Sequence, residues 1–170
     1  MIDIVKSTDQ SQYDDFQLVE VVFLNGNTRF LVNSLLPTFW TIVQAPNARI
    51  HTDPDRKRIV IPNPYLNQSG NMFSLFHEIG HGIVDDTKNE MEIEEEIFLR
   101  DKYSQLGPNS LSAMEKNRFR MLVVDSEKEA WKWALKTITN CRDRGLDLEP
   151  SLTKNDLKKL ANQKLASYLR

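Results

Sequence analysis

Cysteine is almost absent from this chain: Cys141 stands alone among 170 residues, so no internal disulfide can form. Long apolar runs are missing too, and nothing approaches the roughly 18 consecutive apolar residues of a membrane-spanning helix. The opening residues, MIDIVKSTDQ, lack the apolar stretch of a secretory signal. These absences predict a cytoplasmic protein with no membrane partner. Excess charge of either sign is also lacking. A net charge of -2 and a pI near 5.9 supply no global electrostatic reason to bind nucleic acid or anionic lipid. No internal repeat and no low-complexity tract is found. What is present is ordinary: 40% hydrophobic and 27% charged residues, in a length that suits one domain with a full core.

Histidine is scarce as well, with three in the chain, yet two of them stand four residues apart in FSLFHEIGHGIVDD, residues 73–86. Shuffling this composition yields H-E-x-x-H roughly 0.2 per cent of the time, so chance is a weak explanation for a pattern with a defined chemistry. In a helix, residues i and i+4 share a face about 6 Å apart along the axis, so His77 and His81 point the same way. Their ring nitrogens can converge on one zinc ion at about 2.0–2.1 Å. Glu78, one position around the helix from His77, falls beside the ion rather than on it, where a general base belongs. Gly80 and Gly82 each cost about 1 kcal/mol relative to alanine inside a helix. That penalty is understandable if a backbone or a substrate approaches closely there. The plainer reading, two core histidines and one exposed glutamate, leaves polar groups unexplained on an apolar helix, where an unpaired carboxylate is expensive.

A catalytic zinc takes three protein ligands and an open position, so a third ligand is needed. Asp85 and Asp86 follow the motif too closely. The longer signature H-E-x-x-H-x-x-G-x-x-H fails, because Val84 and Thr87 occupy its last Gly and His positions. Downstream, DSEKEAWKWAL offers Glu127 and Glu129. Glu127 aligns with Ala130, Trp131, Ala134 and Ile138 in an unbroken small or apolar stripe, and so faces inward. Glu129 shares its face with Lys132, Lys136 and Trp133. Periodicity therefore ranks Glu127 ahead of Glu129, and His51, on an upstream strand, third. An oxyanion partner is left open among Tyr65, Tyr103 and His51.

Around these residues the chain reads as α+β. FQLVEVVFLNGNTRFLV, residues 16–32, predicts a β-hairpin turned at Asn25-Gly26-Asn27. Ser34 predicts the cap of a short helix with Pro37 in its first turn, running to Gln44 and turning Trp40 to the core. Residues 48–52 and 58–61 predict a second pair of strands turned at Asp53-Pro54-Asp55. A helix over 72–84 carries the motif, and an acidic helix follows over 89–107, its charges read as a solvated face in which Glu95 and Glu96 pair near Arg100. One or two helices span 111–145, with a break near Asp125-Ser126. A last amphipathic helix starts at the cap Thr153 and lines up Leu157, Leu160, Ala161, Leu165, Tyr168 and Leu169. The expected architecture is a small N-terminal antiparallel β-sheet packed on a helical, metalloprotease-like core that holds the HExxH helix. It is a single domain over 1–170, with an insert at 85–120 and a C-terminal helix at 153–169.

Three segments together resemble the ImmA/IrrE family of small zinc metallopeptidase-like proteins: RIVIPN at 58–63, FSLFHEIGH at 73–81 and EKEAWKWA at 127–134. The resemblance spans 58–138, and its first half is the more specific. It implies His77, His81 and Glu127 as ligands of Zn²⁺, Glu78 as the catalytic base, and a protein or peptide substrate. By analogy it also implies a helix-turn-helix regulator or an antitoxin as partner. Trp131 and Trp133 depart from the family's Asn or Asp and Phe, and 45 residues separate His81 from Glu127. The expected function is a zinc-dependent metallopeptidase. The alternative is a catalytically inactive, zinc-stabilised protein-binding module, which has no need of Glu78.

Overall fold

A computed structural model describes residues 3–4, 20–22, 29–45, 49–62 and 70–168. Their order is β1 (Asp3–Ile4), β2 (Glu20–Val22), β3 (Arg29–Leu31), β4 (Thr41–Gln44), β5 (His51–Asp53), β6 (Arg58–Ile61), α1 (Asn71–Thr87), α2 (Glu90–Leu106), α3 (Ala113–Asp143) and α4 (Lys154–Tyr168), with short 3₁₀ turns before β4 and before α3. The fold is α+β. β1, β2 and β3 form an antiparallel sheet in that order, Glu20 opposite Leu31 and Val22 opposite Arg29. This is the expected hairpin pairing; its Asn25–Asn27 turn lies outside the described residues.

The second sheet has the order β4-β6-β5 and is mixed: β5 runs antiparallel to β6, as expected, but β4 pairs with β6 in parallel. The helix expected over 34–44 is therefore corrected to a 3₁₀ turn, Val32–Leu35, followed by a strand. Ser34 donates back to the Leu31 carbonyl at 2.7 Å instead of capping forward. Phe39 takes a left-handed φ of 67° that ends any helical path. Thr41, Ile42 and Val43 are β-branched, and Ile42 and Val43 are buried against β6, so strand packing overrides the weak helix signal. Trp40 faces the core as expected.

α1 is the central element. Met72, Phe73, Leu75, Phe76 and Ile79 are buried between the mixed sheet, through Ile42, Ile59 and Ile61, and α3, through Trp131, Ala134 and Ile138. Each such side chain contributes about 1.5–3 kcal/mol by leaving water. The first turn of α1 is tied down from far along the chain: the buried Glu149 carboxylate accepts from the backbone N–H groups of Gly70, at 2.8 Å, and Met72, at 3.2 Å. An anion at a helix N-terminus satisfies donors that the helix leaves orphaned and complements its dipole. Burial pushes this carboxyl above its ordinary pKa, although the two N–H groups pull it down.

α2 is capped by Asn89, whose side chain accepts from Glu92 N–H, and ends at Gly107, where φ is +80°. Among its described side chains Glu96 and Leu99 are buried, and Met91, Ile97 and Phe98 are exposed, so most of this helix is solvated as expected. Glu96 pairs with Arg100, while Glu95 pairs with Arg118 of α3 instead. α3 begins at a capping box of Ser112 and Glu115 and continues unbroken through Asp125-Ser126 for 31 residues. α4 begins after Thr153, whose hydroxyl accepts from Asp156 N–H at 3.2 Å, and buries Leu157 and Ala161 against the core. Tyr168 and Leu169 lie outside the side chains described. Among the described residues no helix is long and apolar enough to cross a membrane.

Candidate metal centre

His77 and His81 lie one turn apart on α1, and α3 crosses them closely enough to deliver Glu127. The close crossing has a specific cause. A Cβ on Gly80 would stand 2.7 Å from the Ala130 carbonyl oxygen and 3.0 Å from its Cα, so only glycine lets the two backbones approach this far. Ala130 lies three residues after Glu127, on the same face of α3, and the stripe Ala130, Trp131, Ala134 and Ile138 is buried as its spacing predicts. Gly82 answers a different need: Trp40 packs flat against it, with ring carbons 3.2–3.3 Å from where a Cβ would be. The Trp40 indole N–H then donates to Asp86 Oδ1 at 3.4 Å.

The three side chains meet. Glu127 Oε2 lies 3.0 Å from His77 Nε2, and Glu127 Oε1 lies 3.3 Å from His81 Nε2. One coordinating atom from each lies within 4.8 Å of the others, in a largely buried setting. His77, His81 and Glu127 thus form a buried group that could hold a metal.

The electrostatics favour a cation between them. Burial opposes charge on Glu127, but hydrogen bonds and attraction from both imidazoles win and hold its carboxyl down at about 2. Burial likewise pushes His77 down, yet its contacts with Glu127 and Glu78 outweigh that and raise it. A carboxylate that stays ionised while favouring the proton on His77 is a place where positive charge is stabilised. The ring of His77 is further fixed by Trp131, which stacks on it at 3.8 Å and 17°.

Glu78 lines the same cavity, which has a volume of about 250 Å³ and is walled by β5, α1, α2 and α3. Its Oε1 is 3.3 Å from His77 Nδ1, and the Thr52 hydroxyl donates to its Oε2 at 2.8 Å. Burial raises its pKa, but His77, His81 and Thr52 together bring it below the ordinary value, so this carboxylate is ionised at neutral pH. His51 lies on the cavity wall with its Nδ1 2.8 Å from the Arg49 carbonyl, and does not join the three converging groups. Glu129 is exposed and pairs with Lys132 at 3.1 Å, away from the site. Tyr103 stacks on Phe119 and does not line the cavity, while Tyr65 lies outside the described residues.

Sequence reasoning missed Thr52, Lys88, Glu96 and Ser126. Lys88 Nζ reaches Asp85 at 2.7 Å, Glu96 at 2.8 Å and Ser126 Oγ at 3.4 Å. Ser126, next to Glu127, was the only one with a local signal. The others arrive by tertiary packing, and the acidic run of α2 masks Glu96, the one buried carboxylate among its described side chains. No protein-family model, curated protein or solved structure matches this chain.

Proposed function

We propose that this protein is a zinc-dependent peptidase that hydrolyses a peptide bond in a protein substrate. The observation that carries the reading is the convergence of His77, His81 and Glu127 beside an ionised, cavity-facing Glu78. Two imidazoles and one carboxylate are the donor set of zinc hydrolases, and one donor atom from each lies within 4.8 Å of the others. Bound there, zinc supplies a Lewis acid for the scissile carbonyl and lowers the pKa of water to about 7.

The rest is done by the chain. Glu78, ionised and held by the Thr52 hydroxyl, takes a proton from the attacking water and passes it to the leaving amine. Thr52 holds Glu78 in place: Oε2 accepts its hydroxyl proton at 2.8 Å, while Oε1 stands 3.3 Å from His77 Nδ1. Trp131 and Glu127 together prevent the His77 ring from turning. The roughly 250 Å³ cavity admits a side chain or a short extended segment, not a folded domain, so the substrate presents an exposed strand or tail. The ImmA/IrrE resemblance favours a regulatory protein, a helix-turn-helix repressor or an antitoxin, as its source.

One contact favours the second reading, a zinc-stabilised binding module. Glu78 Oε1 rests 3.3 Å from His77 Nδ1, the position of a group that orients a ligand rather than of a base. Glu78→Gln separates the two. As a base, Glu78 is needed for cleavage and not for zinc, so the variant binds zinc normally and cuts nothing in a mass-spectrometric digest of denatured peptides. As an orienting group, its replacement weakens zinc binding, and the wild-type protein shows no cleavage to lose.

A further inference from the structure

The hydroxyl of Ser126 lies 3.4 Å from His81 Nδ1 and 3.4 Å from Lys88 Nζ. Lys88 terminates α1 and is largely buried, with its ammonium held by Asp85 at 2.7 Å and by the buried Glu96 of α2 at 2.8 Å. One cation therefore joins α1, α2 and α3 directly behind a metal-facing imidazole. Glu96 is itself held from its other side by Arg100.

We propose that Ser126 and Lys88 are positioning residues for the metal centre, which fix His81 from behind and make α2 part of its support. The inference rests on the metal reading above. An imidazole that binds an ion through Nε2 must carry its proton on Nδ1, and that N–H needs an acceptor. Ser126 Oγ is the acceptor in place. Without an ion, Nε2–H faces the Glu127 carboxylate at 3.3 Å, and Nδ1 then needs a donor. A hydroxyl can fill either role, by accepting from Nδ1–H or by donating to bare Nδ1. It therefore serves both tautomers without moving, which a carboxylate in the same place could not do.

Lys88 has donors only, so it occupies one lone pair of Ser126 Oγ and fixes where the hydroxyl stands. Its own place depends on Glu96, and α2 thereby reaches the ligand: Glu96 to Lys88, Lys88 to Ser126, Ser126 to His81. A residue orienting a histidine ligand typically affects metal affinity by about 10–100-fold.

The test is zinc affinity of the full chain, measured by competition with a chromophoric chelator, together with ¹⁵N NMR of the His81 ring in the zinc-loaded protein. Ser126→Ala should weaken zinc at least about tenfold, and Ser126→Thr, which restores the hydroxyl, should recover most of it. The double variant Lys88→Met/Glu96→Gln removes both buried members of the network, leaving without these partners only Asp85 and Arg100, which reach solvent, and should weaken zinc about threefold or more. In the wild type the His81 Nδ1 signal should be that of a protonated, hydrogen-bonded nitrogen, and in Ser126→Ala it should shift. If the wild type binds one zinc and Ser126→Ala binds it within twofold with an unchanged His81 spectrum, the positioning role is overturned and the metal reading stands. If the wild type binds none, both fall.

Discussion

Adding a single methyl at Gly80 tests whether the centre depends on how closely α1 and α3 cross. In Gly80→Ala the new Cβ would sit 2.7 Å from the Ala130 carbonyl oxygen, whereas ordinary contact begins near 3.4 Å. The helices must part locally by about 0.7 Å, the difference between those distances. The neighbour is backbone within a long helix, so no side chain can simply swing away. For stability two terms oppose each other: alanine gains about 1 kcal/mol of helix propensity, and overpacking costs about 1–3 kcal/mol. The net loss is about 0–2 kcal/mol, and the variant folds. Metal binding has no such compensation, since ligand distances tolerate only about 0.2 Å. Zinc affinity should fall at least about tenfold, or about 1.4 kcal/mol, while urea unfolding of the ion-free protein changes little. Gly82→Ala is the control. Its Cβ would press on the Trp40 ring at 3.2 Å, a contact that side chain can relieve by a small shift, so zinc affinity should stay within about threefold. Chelator competition at matched pH reads both variants. A Gly80→Ala protein that folds normally and binds zinc as tightly as the parent would refute the reasoning, because glycine would then not be what brings Glu127 within reach.

Other outcomes follow from the same contacts. Folding lowers the Glu127 carboxyl from 4.5 to about 2, so its contribution to stability is present above pH 4.5 and is lost as pH falls toward 2. Folding raises His77 above 6.5, so its contribution is present below pH 6.5 and is lost as pH rises through the higher folded value. Thermal melts in excess chelator should therefore show this pair stabilising most between pH 4.5 and 6.5; added zinc should restore stability on the alkaline side, since the ion replaces the proton on His77. A melting temperature that rises steadily from pH 6 to 9 without metal would contradict the pairing. Glu149→Ala strips two buried N–H groups at the start of α1 of their acceptor and should cost about 2–4 kcal/mol by urea denaturation, without abolishing zinc binding. Trp131→Leu removes the ring stacked on His77 and should weaken zinc severalfold; unchanged affinity would show the stack to be packing alone.

The helices were legible because their signals are local. Thr153 announces a helix start by a side chain that can bond back to the first turn, and Gly107 announces an end. The inward face of Glu127 was legible for the same reason: a stripe at helical spacing is written in four residues, Ala130, Trp131, Ala134 and Ile138. The segment 34–44 was not. A serine followed by a proline looks like a helix start, and nothing local says that Thr41–Gln44 will find a parallel partner in β6. Parallel pairing joins segments far apart in sequence, and no turn residue advertises it. The break expected at Asp125-Ser126 failed because these residues are tolerated in a helix whose neighbours on α1 and α2 hold it; Ser126 is buried with Lys88 and His81 as partners. For the site, His77, Glu78 and His81 could be read from spacing, whereas Thr52 and Lys88 could not, because tertiary packing alone brings Thr52 to Glu78 and Lys88 to Glu96 and Ser126.

The most direct measurement of the central claim is zinc stoichiometry in the purified protein and in single variants, by elemental analysis after equilibration with zinc and removal of the excess. The account predicts one zinc per wild-type chain, retention in Glu129→Gln, and loss in His77→Ala, His81→Ala and Glu127→Gln. A wild-type chain that retains no zinc, or a Glu127→Gln variant that keeps a full equivalent, would contradict it.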